Sequence, residues 1–453
     1  MAMPILPLKK YQVNLKRINS LLATVALISL TACGSTGSIS TNTKPTFNTI
    51  ESPVKISMPK YFYTNEINQT CKIEDDFYSS NTSKEFDLTD KQQYNWLKEL
   101  EHYSWVKDHD MKGTSLDVHH EELTTRMGHV ITAINNSILD GTYDEQAPLA
   151  IDLIMDWAKA EVIMDSTTVD EIKEMKKNGT FQACYKGVGD EDAVCHWHTA
   201  QEAQRFAGQV AILATLVRPH MNYKHLTHTE NYLNAMFDKY ILPWFMHSGS
   251  GNDQIESGFY QMGHGAISMV AYAHWKNNKK IANFAFDNTF RYIDGLVLED
   301  GLIDNNSFRG VRGYWYHTLG LNNMLGMVAL AEQYNYPVDE NIYDKLTLAS
   351  EFLNKDSEAH LEWLESLKKY KVSSGNLYTD YSGRSVYMGN VSWKHSNSRN
   401  HIHQESTFID HLIEQYTKAD LNKDSKEYKT FKRMTYSQHW DITLGFNPTC
   451  ITR

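Results

Sequence analysis

"HTAQEAQRFAGQVAILATLV", His198–Val217, is the stretch whose reading decides the fold. Ala203, Phe206, Ala207, Val210, Ala214 and Val217 recur at helical spacing and form one apolar stripe, the mark of a helix that buries a face. Thr199 followed by Glu202 has the form of a capping box, which predicts the helix start. The same periodicity runs through 117–139, 147–164, 229–246, 258–276, 279–296, 313–335 and 340–370, and again near 404–418. Short connections carrying Gly, Pro, Asn and Asp separate these segments, among them "RPHMNY", "LEDGLIDNN" and "YNYPVD". Alternating strands are scarce, and "GNLYTDYSGRSVYMGNVSW" (375–393) is the best candidate for a hairpin or long loop. Consecutive helical hairpins without a composition break predict an all-α chain. The helix count suits an (α/α) toroid, an incomplete α/α barrel built as a single large domain over 91–453. A solenoid would need a fixed-period repeat, and none is present. Residues 47–90 read as an irregular N-terminal wrap.

The 453 residues are 41% apolar and 22% charged, a globular composition, and 12% aromatic, which suits sugar-lined clefts as well as cores. The net charge of −11 argues against nucleic acid as a partner, since phosphate neutralisation needs a basic surface. At the N-terminus a basic "KKYQVNLKR" precedes "LLATVALISL", which is too short to span a membrane stably, and then "LTAC". That tetrapeptide resembles a bacterial lipobox. The resemblance implies a signal peptide over 1–32, lipidation of Cys33 and, because Gly34 rather than Asp follows, the outer membrane of a Gram-negative cell. Membrane contact is then through the lipid alone. "GSTGSISTNTKPT" reads as a tether over 33–46. Removing 1–32 takes away Lys9, Lys10, Lys16 and Arg17 and no acid, so the charge falls from −11 to −15. Outside the cytoplasm Cys71, Cys184, Cys195 and Cys450 read as disulfide partners. Cys184 with Cys195 can close a loop and Cys71 with Cys450 can tie the domain's start to its tail; the two other pairings stay open.

Chemistry concentrates in "FRGVRGYWYH", Phe308–His317. Arg309, Arg312 and Tyr316 share a face in a continuous helix. Two cations favour a phenolate, and arginines bind carboxylates through paired hydrogen bonds. The bland alternative is an aromatic packing edge. A second cluster, "GFYQMGHGA", holds Tyr260, Gln261 and His264, with Gly263 and Gly265 permitting close approach of another chain or a ligand. His196/His198 and His401/His403 with Glu405 have H-x-H spacing but not the helical i, i+4 spacing of a zinc motif, so no metal is expected. Phosphate-loop, dinucleotide-binding and nucleophile-elbow patterns are absent from the sequence.

The order "WAKAEVIM", "AQEAQRFAGQVAILATLV", "ENYLNAMFDKYILPWF" and "LVLEDGLIDNNSFRGVRGYWYHTLGLNNMLGMVALAEQYN", over roughly 95–340, is similar to the alginate lyase family that cuts polymannuronate on an (α/α) toroid. The turn "EDGLID", then Arg309, Arg312, Tyr316 and His317, follow that family's order. The family's Asn-Asn-His is not retained; "GFYQMGHGA" stands in its neighbourhood. The resemblance implies β-elimination on a polyuronate with Tyr316 as acid and base, or His264 as base. Arg309 would assist, and Gln261 or His264 would neutralise the carboxylate. Tyr260, Arg312, His317, Trp197, His198 and Arg205 are the substrate-binding candidates, with Lys394 and Arg399 as further cations. The partner is an acidic polysaccharide, and no cofactor is implied. Rival readings are a glycoside hydrolase on the same toroid, which needs two facing carboxylates, and a non-catalytic polysaccharide-binding lipoprotein.

Overall fold

The computed structural model describes residues 87–102, 126–180 (without 132, 136 and 139–140), 196–249, 259–303, 306–307, 313–354, 377–379, 385–387 and 409–422. At 196–198, 259–262 and 313–316 the description is of the backbone. The chain divides into Met1–Thr43 and Lys44–Arg453, and all described residues lie in the second unit. The signal, the tether, Cys33, Cys71, Cys184, Cys195, Cys450, Arg309, Arg312, Lys394 and Arg399 lie outside the described residues.

The described part is mainly helical. In chain order come α1 (Lys91–Lys98), α2 (Tyr143–Ala160), α3 (Val169–Asn178), α4 (His196–Val217) and α5 (Tyr223–Met236). A π-helical turn, Phe237–Ile241, joins α5 to α6 (Leu242–Gly249). Then follow α7 (Phe259–Lys276), α8 (Lys279–Leu296), α9 (Gly313–Gln333), α10 (Glu340–Glu351) and α11 (Ile409–Tyr416). The hairpin candidate contains a short antiparallel ladder of β1 (Leu377–Thr379) with β2 (Ser385–Tyr387), in which Leu377 faces Tyr387. Among the described residues no helix is long and apolar enough to cross a membrane.

Local chemistry explains the ends. Thr168 and Glu171 form a reciprocal capping box on α3, and Gly179 closes it at φ 69°. Asn278 caps α8 through the amides of Lys280 and Ile281, so a two-residue turn folds α8 back on α7. The box expected at Thr199 and Glu202 does not form, because α4 already begins at His196 and Glu202 turns to Arg205 instead. Nor is α4 buried along one stripe: every residue from Thr199 to Val217 is buried, polar ones included. α4 packs against α2, α5 and α7, with Phe206 turned to α2 and, on the opposite face, Gln204 and Gly208 turned to α7. α2 runs antiparallel to it, with Tyr143 donating to the Leu216 carbonyl at 2.7 Å and Trp157 against Phe206. Aromatic side chains serve this core heavily. Trp157, Trp244, Trp275, Tyr240 and Tyr272 are all fully buried, and Tyr232 donates to the Val162 carbonyl at 2.9 Å.

α7 is the hub, packed against α4, α6, α8 and α9. Its contacts set direction. Gln204 of α4 meets the His264 carbonyl and Gly208 meets Ser268, while Arg218 just past α4 meets the Trp275 carbonyl. Positions rise together along both helices, so α4 and α7 are parallel, about sixty residues out of phase (204 with 264, 208 with 268). On the other side Gly263 lies against Asn323, and His274 is 3.2 Å from the Tyr334 hydroxyl. α7 and α9 are therefore also parallel, at the same spacing of sixty. Glycine makes both seams possible: a Cβ on Gly208 would overlap the Ser268 hydroxyl, and one on Gly263 would fall 2.5 Å from the Asn323 Cβ.

Candidate active site

Three parallel helices in a common register put their N-terminal ends on one side. The first turns there carry Trp197 and His198 (α4), Tyr260 and Gln261 (α7) and Tyr316 (α9). Five residues singled out on chemical grounds, from segments far apart in sequence, thus lie in first turns at the same end of the three helices. Arg309 and Arg312 belong to the segment entering α9 and lie outside the described residues.

Two other candidates lie deeper. Arg205 and His264 are buried at neighbouring levels of α4 and α7. By the register His264 is level with residue 324 of α9, eight residues beyond Tyr316, or about 12 Å along the axis at the helical rise of ~1.5 Å per residue. Tyr260 is about one turn from Tyr316 by the same measure. Periodicity cannot supply depth of this kind, since it assigns a residue to a face and not to a level.

His264 and Arg205 border a cavity of about 10 Å³ between α4 and α7, roughly the room of one water-sized group. Arg205, Gly208, Gln209 and Ile212 line it from α4, and His264, Ile267 and Ser268 from α7. Gln204 braces its edge: its Nε2 donates to the His264 carbonyl at 3.1 Å and lies 2.5 Å from the Ser268 hydroxyl. The Arg205 guanidinium is 3.5 Å from the Glu202 carboxylate, and both are buried. A buried pair of this kind holds its charges against each other, which lowers the field either one offers a ligand. Gln204, Gln209 and Ser268 were not singled out by sequence reasoning, and Glu202 was read only as a capping residue. Gly208 was the available signal, as a small residue inside an apolar helix. Gly263 and Gly265, which read as points of close approach, are indeed approached, by Asn323 of α9 and by Trp244 and Phe245 of α6.

His317 takes a different place from the one expected of a substrate contact. It is fully buried. Its Nε2 is 2.8 Å from the Ala349 carbonyl of α10 and its Nδ1 is 2.9 Å from the Ser307 hydroxyl. A carbonyl only accepts, so Nε2 carries a proton, and in the neutral ring Nδ1 then accepts from Ser307. Ser307 Oγ in turn accepts from the Ile303 amide at 2.8 Å. The ring faces the protein on both edges and packs on Phe352.

At the far end of α7 lies a denser charged cluster. Glu230 pairs with Lys276 and accepts from Trp275 Nε1 at 2.6 Å. Arg218 lies over the Trp275 ring at 4.5 Å. These groups are matched among themselves and tie α5 to α7. Among the described residues no group of three His, Cys, Asp or Glu side chains could hold a metal ion. The side chains of His196 and His198, and residues 401–405, lie outside that description.

Neither a family model, nor a curated protein, nor a solved structure matches this chain.

Proposed function

We propose that this chain is a polysaccharide lyase. It cleaves a uronate-containing polysaccharide, alginate or polymannuronate or a related polyuronate such as glucuronan, by β-elimination. In this reading an (α/α) toroid carries the site, and a lipid on Cys33 holds the exported protein at the outer membrane. The observation that carries the proposal is that the first turns of three parallel helices, at the same end, carry Trp197 and His198, Tyr260 and Gln261, and Tyr316. Parallel inner helices, each followed by a returning helix, are the arrangement a toroid requires.

Helix N-termini suit an acidic sugar. A helix N-terminus offers amides that lack intrahelical partners and about half a positive charge. Three on one side favour a carboxylate that a chain of net charge −15 without 1–32 would otherwise repel. Elimination removes the C5 proton of the uronate, places charge on its carboxylate, and expels the C4 oxygen. Neutralising the carboxylate with Gln261 or Arg312 lowers the cost of the enolate. Tyr316, with Arg309 favouring its ionised form, takes the proton and returns one to the leaving oxygen. One residue can do both when proton and leaving group share a face of the ring. The depth of His264 favours this route, because a base about 12 Å further along the axis does not share one sugar with Tyr316.

The test is a panel of polyuronates followed by the ultraviolet absorbance of the unsaturated uronate. A rise on one polymer that Tyr316→Phe reduces by a hundredfold or more, with the fold intact, is the expected result. Reducing ends without that absorbance would make the chain a glycoside hydrolase, and binding without turnover a sugar-binding lipoprotein.

A further inference from the structure

The segment between α8 and α9 carries Arg309 and Arg312, and its described part is clamped to the helices on both sides. Val297 and Ile303 pair across a tight turn in which Gly301 adopts φ 84°. Gly301 lies directly against the Leu348 carbonyl of α10, so a side chain there would collide with backbone. Asn306, fully buried, lies against Gly320 of α9, where a Cβ would overlap its amide. Between these two contacts runs one chain of hydrogen bonds: the Ile303 amide to Ser307 Oγ, the Ser307 hydroxyl to His317 Nδ1, and His317 Nε2–H to the Ala349 carbonyl. Three elements, the turn, α9 and α10, are thereby joined through a single imidazole. Every member of the chain is buried, so each bond is made without competition from water.

We propose that His317 is a positioning residue for Tyr316, and that Ser307 is its partner in that role. This rests on the lyase reading of the same site. His317 directly follows Tyr316, which closes the first turn of α9, where a helix otherwise frays for want of intrahelical partners. Pinning the ring of residue 317 on both edges fixes how that turn is rotated about its axis. The direction in which residue 316 leaves the helix is fixed with it. The same chain holds Ser307 against α9 and so sets where the arginine segment begins. A misplacement of about 1 Å is enough to cost a well-aligned proton transfer some hundredfold.

The experiment uses the full chain with His317→Gln, which keeps a donor toward Ala349 but loses the acceptor for Ser307, and the milder Ser307→Ala. Tyr232→Phe, which removes a buried tyrosine hydrogen bond elsewhere, is the control for stability loss alone. Two readouts are taken on samples of equal folded fraction. The first is the ring-carbon NMR signal of Tyr316, assigned by its disappearance in Tyr316→Phe. The second is kcat and KM on the polymer that the wild type cleaves. Positioning predicts that both variants move the Tyr316 signal and lower kcat about tenfold or more with little change in KM. It also predicts no further loss when His317→Gln is added to Tyr316→Phe, and no effect of Tyr232→Phe on either readout. An unmoved Tyr316 signal in folded Ser307→Ala overturns the proposal. So does a fall in kcat that merely follows the folded fraction. If the wild type eliminates no uronate, the lyase reading fails, and the Tyr316 signal still decides whether His317 positions it.

Discussion

His274, two residues from the end of α7, is held neutral by its surroundings. Burial, with the Arg218 charge adding to it, lowers its pKa to about 3, while Tyr334, just past the end of α9, meets its Nδ1. The sign follows from comparing states. An unfolded histidine takes up its proton near pH ~6.5, and the folded chain refuses it until far lower pH. The unfolded state therefore binds more protons between these values, and stability falls as pH drops through that window. At pH 5 the loss is about 2 kcal/mol relative to neutral pH. His274→Gln should flatten the dependence of the urea midpoint on pH between 7 and 5. An unchanged slope would assign the acid sensitivity to another group.

The helices of this protein carry glycines of two kinds. Gly208 is filled from outside by Ser268, whose Cα is 3.0 Å from where a Cβ would stand. Gly295, in the last turn of α8, has nothing within 4 Å. Gly208→Ala should therefore cost about 1–3 kcal/mol by forcing α4 from α7. Gly295→Ala should raise stability by about 0.5–1 kcal/mol through helix propensity and a less flexible unfolded chain. Thermal unfolding of the two variants checks both signs, and loss in both would mean that Gly295 also has an occupied neighbour. Most helices could be read from apolar spacing, because burial of a face imposes the period directly. α3 was missed although Thr168 and Glu171 spell its capping box: only Val169 and Ile172 are buried on it, too few to leave a stripe. α4 was found but misread as half-buried, since a helix enclosed on opposite sides buries Gln204 and Glu202 along with Phe206. The expected helix 340–370 is helical to Glu351 and continues as a 3-10 turn, Phe352–Asn354; beyond that it leaves the described residues. At the site, residue type was legible and depth was not. Tyr260 and Gln261 fall near the level of Tyr316, whereas His264, three residues on, falls below it. His317 stood as a substrate-contact candidate because it follows Tyr316 in the order of the resemblance, and its two buried partners are remote in sequence or hidden in a loop.

At the level of the whole molecule, charge opposes the proposed substrate. A surface of −15 without 1–32 repels a polyanion at long range, while local cations and helix ends attract its carboxylates at short range. Salt separates the two, since screening reaches in to about 8 Å at physiological ionic strength. kcat/KM on a long polyuronate should first rise severalfold with added salt and then fall, with a smaller rise on a short oligomer. A steady decline from the lowest salt would mean that attraction dominates at every distance. The common register of α4, α7 and α9 has a further consequence, for how this chain tolerates insertions and deletions. Residues added in a connection leave each seam in step. One residue added or lost between Gly263 and Ser268 of α7 turns everything beyond it by about 100°. Gly263 and Ser268 would then no longer face Asn323 and Gly208 together, and both seams would fail at a single stroke. Length is free to drift between these helices and is held constant within the middle one.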